Sequence, residues 1–106
     1  MQTVNQSEPV TAFEVGTLLA YSRGGREIAV SFFEIVSRKG RAVEVRPIAG
    51  AFAGSIPFTA TSAYKVPVPG RYTGGSFWAK IGPYGIVMRH GPAIPTEPTT
   101  QHFTSL

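Results

Sequence analysis

With 106 residues, 12 glycines and 9 prolines, and no long stretch of helical periodicity, the chain reads as one all-β domain of short strands and turns. The absence of cysteine excludes disulfides and thiolate metal sites, and no run approaches the ~20 apolar residues of a membrane span. Seven arginines and three lysines against six glutamates and no aspartate give a net charge of +4, which suits either an anionic partner such as nucleic acid or simple solubility.

Residues 1–10 read as a polar, flexible arm. The opening MQTVNQSEPV lacks the basic and then apolar pattern of a secretory signal, so the cytoplasm is the expected compartment, with no membrane partner. Phe13 to Ser22 is a strand candidate interrupted at Gly16. Arg23-Gly24-Gly25-Arg26 follows as a hairpin turn, which sets Tyr21 against Ile28 and Leu19 against Val30.

The long arm Glu27–Ser37 is then paired on both sides and central. Two adjacent apolar residues, Phe32 and Phe33, break its alternation. A bend or bulge at that point lets one strand serve two faces, as small barrels require. Lys39-Gly40 marks the next turn. A three-residue loop of Arg38, Lys39 and Gly40 keeps one face apolar, with Ile35 facing Val43 and Phe33 facing Val45. It also sets Glu34 opposite Glu44, a like-charge pair that diagonal Arg46 offsets.

Beyond Ile48, residues 49–76 read as an irregular Gly/Pro-rich insert with a short edge strand near Ile56–Thr59. Phe77–Ile81 is a strand, Gly82-Pro83-Tyr84-Gly85 a turn, and Ile86–Arg89 the return strand. This register puts Phe77, Ala79, Ile81, Ile86 and Met88 on one face. Trp78, Lys80, Val87 and Arg89 fall on the other. Gly91–Pro98, with three prolines, reads as an extended connector, and Gln101–Ser105 as a last edge strand. Three hairpin signals and no helix predict a small, mostly antiparallel barrel or strongly bent sheet, SH3-like in size.

Two segments carry a resemblance: Val15-Gly16-Thr17-Leu18-Leu19 followed by Phe32-Phe33-Glu34-Ile35-Val36-Ser37-Arg38, and Val43-Glu44-Val45-Arg46-Pro47-Ile48. With the closing Gln101-His102-Phe103-Thr104, they resemble a group of small phage and plasmid β proteins. The likeness covers about half the chain. It implies a mobile-element origin and a small β fold, and it implies no activity. Ser22–Arg26 replaces the polar stretch that group usually has between its first two strands.

The residues point away from catalysis. Gly74-Gly75-Ser76 lacks the G-x-S-x-G elbow, and His90 and His102 have neither ligand spacing nor a nearby aspartate. The six glutamates are scattered singly, so no carboxylate pair spans a cleft. A non-enzymatic protein with no cofactor and no metal is therefore expected. What remains is surface. Trp78, Lys80 and Arg89 interleave an aromatic with cations, which suits base stacking and phosphate contact. The basic tip of Arg38, Lys39 and Arg41 adds further phosphate contacts. The competing expectation is a protein-binding modulator of a host enzyme or a host defence complex, anti-CRISPR-like in role, using exposed apolar groups on edge strands.

Overall fold

The computed structural model describes residues 13–24, 29–53 and 62–105. These residues form eight strands and no helix: β1 Leu18–Arg23, β2 Ala29–Lys39, β3 Ala42–Ala53, β4 Ser62–Tyr72, β5 Phe77–Gly82, β6 Gly85–Met88, β7 Gly91–Thr96 and β8 His102–Ser105. Six of them, in the order β2-β1-β7-β6-β5-β3, close into an antiparallel barrel because β3 also pairs with β2. The second half of β3 runs on past the barrel and pairs with β4, which pairs with β8. The fold is thus a closed barrel with a two-stranded arm.

The arm explains the double phenylalanine. Leu19, Tyr21, Ile35, Val43, Val45, Ile81, Ile86 and Ala93 fill the barrel, together with Phe13. Leu18, Ala20, Val30, Phe32 and Ile48 form a separate buried cluster. Leu18 and Leu19, and Phe32 and Phe33, therefore belong to opposite faces of the same two strands, and a sheet covered on both faces loses its polar alternation. The arm covers the outer cluster. His102 of β8 meets the Phe32 ring edge-on, with centroids 5.4 Å apart. A Cβ on Gly50 of β3 would stand 2.8 Å from the same ring, so only glycine admits Phe32 there. The pairing is regular at Phe32 on both sides of the strand; the bulge comes later, between Ile35 and Ser37.

That bulge changes the central hairpin. Lys39 pairs with Ala42, so the loop is the two residues Gly40-Arg41 rather than Arg38-Lys39-Gly40. Ile35 faces Val45 instead of Val43, and Phe33 faces Pro47 instead of Val45. The extra residue Val36 lets the interior side chains stay in register while the turn tightens. It also removes the like-charge clash: Glu34 lies opposite Arg46, and Glu44 opposite Ser37. Between β1 and β2 the register is Leu19 to Phe33 and Tyr21 to Ser31, three residues from that expected. The Gly24-Gly25 turn lies partly, and the expected 1–10 arm and Ile56–Thr59 strand wholly, outside the described residues.

Two stretches, one read as an irregular insert and one as an extended connector, contain strands. Residues 62–72 form β4, and Gly91–Thr96 forms β7 in spite of Pro92 and Pro95. The prolines fit because β7 changes partners halfway. Gly91, Pro92 and Ala93 pair with β6, whereas Ile94, Pro95 and Thr96 pair with β1. Each proline thus lies against a single neighbour strand, and its missing N–H interrupts little of the ladder.

Gly40 has a φ of 61°, in the left-handed region, and a Cβ there would meet nothing within 4 Å. The cost of Gly40→Val is therefore conformational. It should be about 1–2 kcal/mol, read as a lower urea midpoint at unchanged slope. An unchanged midpoint would contradict this hairpin geometry.

His102 ties the arm to the barrel through a 2.7 Å hydrogen bond between its Nε2 and Thr96 Oγ1. Burial holds its imidazole below the ordinary 6.5. The unfolded chain then binds a proton more readily than the folded one. This contribution to stability is present above about pH 6.5 and is lost as the pH falls toward the folded pKa. The thermal midpoint should drop as the pH is lowered from about 7.5 to about 5, and less so in His102→Gln. Equal pH slopes in the two proteins would contradict the assignment.

Candidate nucleic-acid interface

The two ends of the barrel differ. At one end lie the Gly40-Arg41 and Pro83-Tyr84 turns and the start of β1. This end is closed. The buried Phe13 side chain fills it, and Arg38, opposite the interior residue Val43, reaches across it. Arg38 Nη1 donates to Phe13 O at 2.9 Å, and its Nε donates to Gly40 O at 2.8 Å. Arg41 Nη2 donates to Ile81 O at 3.3 Å while Arg41 O accepts from Ile81 N at 2.8 Å. Two of the three cations of the expected basic tip therefore hold the backbone of the barrel end. Lys39 remains as an exposed side chain.

The other end, where β1 and β6 finish and β5 and β7 begin, opens into a recess of about 400 Å³. Its inner wall is aromatic. Tyr21 and Phe33 lie with centroids 6.3 Å apart, and Phe33 meets Phe77 edge-on at 5.9 Å. Ala79, Met88 and the exposed Val87 complete the apolar lining. Tyr21 keeps its hydroxyl satisfied by accepting from His90 N at 2.7 Å, so a tyrosine can stand in the barrel. Trp78, Arg23, Arg89 and His90 form the rim. A second hollow of about 420 Å³, lined by Arg23, Gly24 and His90, shares two of these residues. Trp78 is 52% exposed and Phe77 42%, which is unusual for such large rings and leaves flat surface available for stacking.

Charge is segregated along β1. Among the described residues, no carboxylate lines the recess where β1 ends at Arg23. At the strand's start, a recess of about 380 Å³ is lined by Glu34, Glu97 and three prolines. Glu34 accepts from Gly70 N at 3.0 Å and from the Tyr72 hydroxyl at 3.2 Å. Arg46 stands 4.3 Å from the Tyr72 ring centroid and donates from Nε to Gly74 O at 2.9 Å. Partial cover and then the Glu34 carboxylate raise the Tyr72 phenol above its ordinary 10. These groups anchor the loop after β4.

The sequence set Trp78, Lys80 and Arg89 on one face. Trp78 and Arg89 line the same recess; Lys80 does not. Lys80 pairs with Ala42, which pairs with Lys39, so the two lysines flank a small residue on the outer face of β2–β3–β5. Adjacent strands are about 4.8 Å apart, which puts these lysine backbones about 10 Å apart in the row next to Trp78. Arg23, His90 and Phe77 were not singled out from the sequence as an interface. Arg23 ends β1 and His90 lies in the turn between β6 and β7, and nothing local in the chain announces that closure of the barrel brings them together.

Among the described residues, no three His, Asp or Glu side chains cluster as a metal site requires, and no helix is long and apolar enough to cross a membrane. No protein-family model, curated protein or solved structure matches the chain.

Proposed function

We propose that the chain is a non-enzymatic binding module for single-stranded nucleic acid, with the open barrel mouth as its base-stacking site. The observation that carries this reading is the recess itself, which has aromatic walls, a rim of Arg23, Arg89 and His90, and no carboxylate among the described residues that line it. An exposed indole beside a guanidinium gives a base its stacking partner and the adjoining phosphate its counter-charge. Lys80 and Lys39 continue the cationic surface along the outer face of β5 and its neighbours. A duplex hides its base faces, so an aromatic recess favours the single strand over the duplex.

The test is fluorescence anisotropy with labelled single-stranded and duplex oligonucleotides over a range of salt. Tighter binding of the single strand, weakening linearly with log salt, is expected. Absence of affinity for either at low salt would overturn the reading.

A second reading has its own observation. Tyr64 and Phe103 are direct partners on β4 and β8, both exposed, with centroids 5.9 Å apart. The exposed Phe52 pairs with Lys65 and lies on the opposite face, whereas the Tyr64–Phe103 pair lies at β8, which carries the open sheet edge among the described residues. That surface favours a protein partner such as a host defence complex. Co-purification that resists both salt and nuclease would support it.

A further inference from the structure

One charge beside Trp78 has the wrong sign for a phosphate. Glu44 on β3 lies directly opposite Trp78 on β5, so both side chains leave the same face with Cβ atoms about 5 Å apart. Glu44 stands on the side of Trp78 away from the recess and Arg89 on the recess side, so a base stacked on the indole lies between a carboxylate and a guanidinium. Ser76 Oγ donates to Glu44 Oε2 at 2.5 Å. That bond steadies the carboxylate, and its remaining lone pairs can accept further donors.

We propose that Glu44 is the base-selecting residue of this interface, favouring bases that carry an amino group over thymine and uracil. The proposal rests on the reading of Trp78 as the stacking platform. A carboxylate repels phosphate, so the nucleotide must turn its base edge toward Glu44 and its phosphate toward Arg89 or the Lys39–Lys80 row. A carboxylate accepts only. Cytosine N4–H and adenine N6–H donate to it, and guanine offers the adjacent N1–H and N2–H. Thymine and uracil offer a single N–H between two carbonyl oxygens whose lone pairs oppose the carboxylate.

The discriminating pair is oligo-dC against oligo-dU of equal length, two pyrimidines of one size without the thymine methyl. Wild type should bind oligo-dC about tenfold more tightly at a fixed low salt concentration. Glu44→Gln carries an amide that can both donate and accept, and should bring the ratio close to one. Glu44→Ala should do the same, chiefly by strengthening binding of oligo-dU, for which the carboxylate is only a repelling charge. Equal affinities in wild type, or an unchanged ratio in Glu44→Gln, would overturn the proposal and leave nucleic-acid binding standing. No binding of either oligonucleotide would remove the underlying reading as well.

Discussion

Ile35→Ala is expected to destabilise the protein by about 2–5 kcal/mol, which for a small domain is a large part of the whole. Ile35 is 0% exposed and lies at the centre of the barrel interior. Its backbone is tied on both sides. Ile35 N donates to Thr17 O at 2.9 Å, Ile35 O accepts from Gly16 N at 2.8 Å, and across the other edge it pairs with Val45 just before the bulge. A strand held this firmly cannot move in to fill the space of a deleted side chain, so the cavity persists and the cost falls in the upper part of that range. Ile35→Val should cost only about 0.5–1.5 kcal/mol. Guanidinium denaturation of both variants checks the pair; a midpoint unchanged in Ile35→Ala would contradict this core.

Trp78→Ala is expected to weaken binding of single-stranded nucleic acid by about 5- to 150-fold, the range of one base–aromatic stack. It should leave the salt dependence nearly unchanged, because no counterion is displaced by an indole. Its exposed ring contributes little to the core, so the melting temperature should hold. Lys80→Ala and Arg89→Ala should behave in the opposite way, each lowering the slope of log affinity against log salt by roughly 0.7 or less. Arg38→Ala separates the two ends of the barrel: because its guanidinium holds Phe13 O and Gly40 O, the change should reduce stability. Equal binding by Trp78→Ala and wild type would place the contact elsewhere.

How far the sequence discloses this molecule depends on range. The antiparallel barrel is legible in the β-branched and aromatic arms, and the Gly82–Gly85 turn predicts the facing of Ile81 and Ile86, which pair and are buried. Gly40 takes the expected positive φ. The loop length around it is not legible, because the bulge at Val36 shifts the register by one residue without any Gly or Pro to mark it. β7 is hidden by its prolines, which are harmless only because the strand changes neighbours between Ala93 and Ile94. The pairing of Phe32 and Phe33 with two different cores is visible as broken alternation, but the arm that makes the second core starts some 30 residues later, at Ser62.

The site shows the same limit. Trp78, Lys80 and their common face follow from two-residue periodicity within one strand. Arg23 and His90 come from the ends of β1 and β6, and β7 lies between those strands in the sheet, so their meeting is a property of closure rather than of local pattern. The charges of Arg38 and Arg41 suggested a phosphate-binding tip; their hydrogen bonds to Phe13, Gly40 and Ile81 carbonyls exist only once the barrel end is built.

Trp78 is the chain's one tryptophan, so its emission reports directly on the proposed stacking surface. The decisive measurement is titration of that emission with a short single-stranded oligonucleotide at low salt, repeated at higher salt. Saturable quenching is expected, with a midpoint that moves to higher concentration as salt is added, by a factor set by the phosphates engaged. Emission that stays constant through saturating oligonucleotide would contradict it.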